Sequence, residues 1–190
     1  MNSHTPLAKF IHWTFTLLYA YGIFKQVDDL SQLEDASLLN FEILFATVFL
    51  IIVLIRYFYM KDTPALLGAQ ENILKGHLFI ARTVHRLVYF SLIMLPITGI
   101  LIAVLFNLEM EGIQVAIALH ELSAFLSYVV IALHVGASIY SRFKGEGLWN
   151  AMVPVWKESG KNNSDLVLKI ELLENKFYEK IEKVIDKKND

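Results

Sequence analysis

LLNFEILFATVFLIIVLIRYFYM, residues 38–60, carries one acid near its start and one arginine near its end. At about 1.5 Å per residue the run reaches across a hydrocarbon core of ~30 Å. In lipid, a helix is the only open-chain structure that satisfies its own backbone N–H and C=O groups. Residues 38–60 therefore predict a membrane-spanning helix, and the rest of the chain sorts around it. Comparable apolar runs cover 8–27, 77–106 and 113–141, the first only just long enough. A chain of 190 residues, 55% of them hydrophobic, fits one domain of this kind. The expected fold class is all-α integral membrane: a four-transmembrane-helix bundle over 1–154, a polar linker at 155–163, and a cytoplasmic amphipathic helix over 164–190.

Lys9 ahead of the first run, with small residues at Ala20 and Gly22, has the outline of a secretory signal. His12, Trp13 and several aromatics interrupt that run, and no small-x-small cleavage site follows. It reads as a retained anchor. Basic residues mark the sides of the membrane. Lys9 precedes the first run, Arg56, Lys61, Lys75, Arg82 and Arg86 surround the second connection, and Arg142 and Lys144 follow the fourth run. The first connection sets Lys25 against Asp28, Asp29, Glu34 and Asp35, and the third, NLEMEG, holds only acids. By the positive-inside rule both termini are cytoplasmic, and the expected location is a bacterial inner membrane. The net charge of −2 hides this asymmetry. Membrane lipid is the first partner implied. There is no nucleotide-binding glycine pattern, and no nucleic acid partner is expected.

The chain contains no cysteine. That excludes disulfides, thiolate-held iron–sulfur clusters and the C-x-x-C-H attachment of c-type haem. Any metal or haem must rest on His, Met or carboxylate.

Beyond Pro154 the composition turns polar with KESGKNNS, and a tail follows in which Leu166, Ile170, Leu173, Phe177, Ile181 and Val184 recur at spacings of three and four. That is the seam of an amphipathic helix, with Ser164 as its N-cap. The tail suits a coiled coil with a partner or the membrane surface. Its mixed charges favour a protein: a redox partner or a larger membrane complex.

The fourth run contains HELSAFLSYVVIALH, residues 120–134. Fourteen residues of helix advance roughly 21 Å and return to within about 40° of the starting direction, so His120 and His134 project from one face. A lone histidine on an apolar face is usually a core residue bonded to a carbonyl. Inside a bilayer ionisable groups are costly and mark a functional path or a cofactor. His12 lies near the start of the first run, at a depth comparable to that of His134. One imidazole from each helix would bind an iron axially with a flat macrocycle between them. His85, in RTVHR, is either a rival ligand or a polar residue at a headgroup, propionate or quinone site. The flanking Arg82 and Arg86, which attract anionic groups, favour the second. His77 reads as interfacial and His4 as part of the leading tail.

Four features, taken in order, resemble the bacterial cytochrome b561 and nickel–iron hydrogenase b-type cytochrome family: IHW at 11–13, LPITG at 95–99, the His120/His134 pair, and the closing run RFKGEGLWNAMVP at 142–154. Each is weak alone; their order over residues 8–154 makes the resemblance specific. It implies a four-helix bundle with two b haems. The inner haem would be held by His12 and His134, and the outer by His120 and a histidine near the start of the second helix. That last histidine is missing, since none lies between His12 and His77. Counting back from Arg56, which is similar to the family's arginine at the inner end of this helix, its place falls on Glu42. Three readings compete: an absent outer haem with Glu42 bonded to His120, a five-coordinate haem on His120, or a ligand from another chain. A carboxylate is a poor replacement for imidazole on b-type haem, and a Glu–His pair satisfies both groups, which favours the first.

Arg56, Arg82, Arg86 and Arg142 are candidates for haem propionates or for headgroup anchors. Trp13 is either a packing partner of the macrocycle or, like Trp149 and Trp156, part of the aromatic belt. Gly99 and Gly136 either admit a haem edge or let helices pack. Pro96 kinks the third helix. The leading functional expectation is a membrane b-type cytochrome with one haem b, or two, moving single electrons between a quinone pool and a redox partner. The alternatives are a structural or assembly subunit with haem partly or wholly lost, and a gas or small-molecule sensor at His120.

Overall fold

The computed structural model describes residues 4–27, 29–61, 74–158, 160, 162 and 164–189. Among these the regular structure is helical: α1 (Pro6–Phe24), a 3-10 helix (Leu30–Glu34), α2 (Ala36–Met60), α3 (Lys75–Asn107), α4 (Ile113–Lys144), α5 (Leu148–Met152) and α6 (Asp165–Asn189). The four apolar runs became α1 to α4 and the polar tail became α6. The 3-10 helix was not expected. Most of the connection between α2 and α3 and part of the linker before α6 lie outside the described residues.

Among the described residues three helices are long and apolar enough to cross a membrane: α2, α3 and α4. Lys9, His12, Trp13 and the threonines and tyrosines of α1 dilute its apolarity, so α1 falls outside that set. Apolar side chains on these helices point outward at helical spacing. On α2 the exposed set includes Phe41, Leu44, Val48, Ile51 and Ile55; on α4 it includes Val115, Leu119, Leu122, Val129 and Leu133. A water-soluble protein rarely leaves such contiguous stripes uncovered, whereas lipid covers them without cost. Many of the buried positions are small or hydroxylated, among them Ser91, Thr98, Ala103, Ala116, Ser123 and Ser127. Small residues let helix backbones approach closely where hydrophobicity cannot drive association.

The chain divides into two compact units. The first comprises Thr5–Asp62 and Leu87–Ile131. Its centre is Phe15, Phe49, Val53 and Leu92, with Tyr19, Tyr89 and Ile131 against them, so all four long helices contribute. The ends of α1 and α2 are paired in antiparallel fashion. At one end Arg56 donates to the Ala8 carbonyl at 2.9 Å, and the Thr5 and Tyr59 hydroxyls lie 2.8 Å apart. At the other, Lys25 pairs with Glu42. Local chemistry sets the helix starts: Thr5 accepts from the Ala8 N–H with Pro6 in the first turn, and Asp35 accepts from the Ser37 N–H at 2.8 Å. The 3-10 helix closes this end, with Leu33, Leu39 and Ala103 forming a second apolar cluster.

The second unit comprises Met1–His4, Thr63–Arg86 and Ala132–Asp190. Here α6 starts at the expected Ser164 cap, whose hydroxyl accepts from the Val167 N–H at 3.5 Å. It packs on the first residues of α3 and the last of α4. Tyr178 stacks on His77 at 4.4 Å, Glu174 binds Lys144 at 2.9 Å, and Asp186 binds Lys75 at 3.2 Å. Burial and the Glu174 carboxylate push the Tyr178 phenol up, so it remains protonated. Gly76 permits this docking, because a Cβ there would collide with the Tyr178 backbone carbonyl. Gly76→Ala is therefore expected to loosen α6. Tryptic cleavage after Lys157, followed by mass spectrometry, should accelerate by about tenfold if docking limits local opening; an unchanged rate would show that α6 tolerates the added methyl group.

Candidate functional site

The histidines fall into separate environments, and the first unit holds two of them. His12 sits on α1 with its Nδ1 buried, between Trp13 at 5.9 Å and Phe15 at 5.2 Å, both edge-on. Its own carbonyl accepts from the Thr16 hydroxyl at 2.7 Å. One turn earlier, the carbonyl of Ala8 holds Arg56, which is 7% exposed and lies 5.3 Å over the Phe15 ring. Arg56 thus belongs to the α1–α2 packing rather than to a headgroup layer. Trp13 stays beside His12, as expected from their adjacency.

His120, on α4, is half-buried, and its Nδ1 lies 3.0 Å from the Thr98 hydroxyl of α3. That hydroxyl is also within donor reach of the Met94 and Leu95 carbonyls, at 2.8 and 3.0 Å. A hydroxyl has one proton. With that proton directed at a backbone carbonyl, the oxygen would accept from Nδ1–H of His120 and the lone pair would fall on Nε2. This is the tautomer an imidazole adopts when Nε2 is to act as a ligand and a neighbour orients the ring. The Gly99 position lies against the same ring, with a built Cβ 3.5 Å from Cε1, ordinary van der Waals contact. The LPITG stretch therefore places both Thr98 and Gly99 against His120.

Glu42 is not bonded to His120. It pairs with Lys25, whose ammonium also lies 4.6 Å over the Phe41 ring. The expected Glu–His pair does not form because each group has a better partner: an ammonium for the carboxylate, a hydroxyl for the imidazole. Lys25 and Thr98 are the residues that sequence reasoning passed over. Lys25 was legible as the one base in an acidic connection, while Thr98 lay inside a motif already singled out.

The second unit holds His85 and His134, their rings 5.0 Å apart at 72°. Nδ1 of His85 lies 2.8 Å from the Ala81 carbonyl, which can only accept, so His85 too is protonated at Nδ1. The His134 carbonyl accepts from Ser138 at 2.8 Å, and a Cβ built at Gly136 would meet nothing within 4 Å. Arg82 and Arg86 are exposed and line a cleft of about 320 Å³ with Lys75, Leu78, Phe79 and Ile185. Arg142 has turned to the linker. It donates to the Trp156 and Lys157 carbonyls at 2.9 and 3.2 Å and lies 3.7 Å over the Trp156 ring. Among the described residues no group of three or more His, Cys, Asp or Glu is placed to hold a bare metal ion. Haem asks less of the protein, since one or two imidazoles suffice. The donor chemistry of His12, His120 and His134 fits it. The Lys25–Glu42 ion pair does not fit a second imidazole ligand on α2.

The family model described as prokaryotic cytochrome b561 matches residues 3–155, a span that contains α1 to α5 and every one of these histidines. No curated protein and no solved structure matches the chain.

The ion pair gives a direct test. Lys25→Met leaves the Glu42 carboxylate without its counter-ion, and thermal unfolding in detergent should show a loss of about 1–3 kcal/mol, less than for a fully buried pair. The Lys25→Met, Glu42→Met double variant should recover most of it. Simple additivity of the two losses would mean that the groups do not interact.

Proposed function

The chain belongs to the prokaryotic cytochrome b561 family, and we propose that it passes single electrons between the quinone pool and a redox partner through one haem b held by His12 and His134. Membership makes it a bacterial membrane b-type cytochrome of electron transfer. The proposal adds that α1 is the fourth span, that both termini are cytoplasmic, and that the inner haem is kept while the outer is lost. The observation carrying it is that Glu42 occupies the expected outer-ligand position and is held by Lys25, whereas both expected inner ligands, His12 and His134, are present.

When bound, haem supplies a ferric/ferrous couple at the potential its ligands and burial set. The residues of the chain do the holding. His12 and His134 offer neutral imidazoles, Trp13 and Phe15 wall one side, and Arg82 and Arg86 supply cations for propionates or a quinone headgroup. A second reading, an assembly subunit with haem wholly lost, is supported by the same Lys25–Glu42 pair and by the exposed apolar seam of α6. A third, a five-coordinate haem sensing a gas, is supported by the available Nε2 of His120.

A reduced-minus-oxidised visible spectrum with a haem-to-chain ratio separates the three. The expectation is one low-spin haem per chain, lost in His12→Ala and His134→Ala and kept in His120→Ala. Glu42→His should raise the ratio toward two. Two haems in the unaltered chain would overturn the reading of Glu42. No b-type absorbance from haem-replete cells would favour the assembly subunit, and carbon monoxide binding by the reduced protein the sensor.

A further inference from the structure

The tail helix looks balanced in composition, but its contacts divide its charges by side. Val167 is buried, Glu174 and Tyr178 bind the span ends, and Ile185 lines the cleft with Lys75 and Phe79. Each of these docked residues follows a member of the apolar seam by one position: Leu166, Leu173, Phe177 and Val184. One position is about 100° around a helix, so docking α6 leaves the seam to one side. All four seam residues are exposed, at 69%, 67%, 54% and 69%. On the far flank of the seam stand Lys169, Lys176, Lys180, Lys183 and Lys187, all exposed. The acids Glu174 and Asp186 are engaged with Lys144 and Lys75. What remains open is an apolar stripe edged by five lysines, with Asp165 and Glu179 the exposed acids on that flank.

Position selects what covers it. Lys75 is the first residue of α3 and Lys144 the last of α4, so α6 is pinned where two spans leave the membrane. Its 25 residues extend roughly 37 Å. An amphipathic helix held at the headgroup layer, with an apolar face and a lysine edge, matches an acidic phospholipid surface.

We propose that α6 lies on the membrane with Leu166, Leu173, Phe177 and Val184 among acyl chains and its five lysines on anionic lipid phosphates. The inference rests on the membrane placement of the spans and is independent of haem ligation, so a failure of either leaves the other standing.

The absence of native cysteine makes the test clean, because an introduced thiol is the only one. Full-length Phe177→Cys and Asn175→Cys proteins are labelled with an environment-sensitive fluorophore and placed, one copy per disc, in lipid nanodiscs. The discs contain phosphatidylcholine alone or phosphatidylcholine with phosphatidylglycerol. In the acidic discs the probe at 177 should shift to the blue and lose about threefold in iodide quenching, while the probe at 175 stays wet. Replacing Lys169, Lys176, Lys180 and Lys183 by Glu in the 177 protein should restore quenching. Equal quenching at 177 in both lipids overturns the proposal. So does shielding that appears only with two copies per disc, which would make a second chain the occupant, or only on adding cytoplasmic extract, which would make it a protein.

Discussion

The bilayer core offers no water, and a polar group that enters it must find its partner within the chain. That constraint accounts for nearly every side-chain contact of the spans. Hydroxyls bond back to their own helix, as Thr47 does to Ile43 and Ser123 to Leu119, each at 2.7 Å. The Tyr19 and Ser127 hydroxyls pair across helices at 2.7 Å. Charged groups follow the same rule: Arg56 donates to the second lone pair of the Ala8 carbonyl in the first turn of α1, and Lys25 takes Glu42. Double-mutant cycles put membrane hydrogen bonds at about 0.6 kcal/mol on average, so no single pair holds the bundle together. Their common effect is specificity: helix ends meet in one register because other registers leave polar groups bare.

The same rule applies to His120, a half-buried imidazole on α4. A histidine stripped of its iron partner would be an expensive remnant if its ring nitrogens were bare in lipid. The Thr98 hydroxyl, 3.0 Å from Nδ1, removes much of that cost. The imidazole thereby has a hydrogen-bonding partner within the chain. Glu42 is stabilised independently by Lys25. His120–Thr98 and Glu42–Lys25 are thus two self-contained polar pairs, and neither depends on the other for its partner.

Apolar length made α2, α3 and α4 readable from sequence, because a continuous run of such residues has no alternative fold in lipid. α1 was harder: the residues that give it chemical interest, His12 and Trp13 among them, are those that lower its apolarity. Termini were readable where a cap was explicit, as at Ser164, while the 3-10 helix at Leu30–Glu34 carries no periodic signal that precedes its coordinates. At the site, the histidines could be read from the sequence, and the Glu42–His120 pairing was an expectation drawn from resemblance. Their partners could not. Glu42 and His120 looked complementary when only the two were considered, and it was the neighbouring Lys25 and Thr98, remote in sequence, that decided between them.

The tail illustrates a further limit. Its seam of Leu166, Ile170, Leu173, Phe177, Ile181 and Val184 is visible as a pattern, and a helix with such a seam would ordinarily bury it first. Instead α6 docks through the adjacent line of Val167, Glu174, Tyr178 and Ile185, offset by one residue. The span ends explain the choice. Lys75, His77 and Lys144 are polar groups at the ends of α3 and α4, and their partners are two carboxylates and an aromatic face. Charges that average out in the sequence are thereby partly separated in space, with Glu174 and Asp186 bound to the helix ends and the lysines exposed. A membrane-proximal helix that satisfies its neighbours with its polar line keeps its apolar line for the lipid that the spans have already brought within reach.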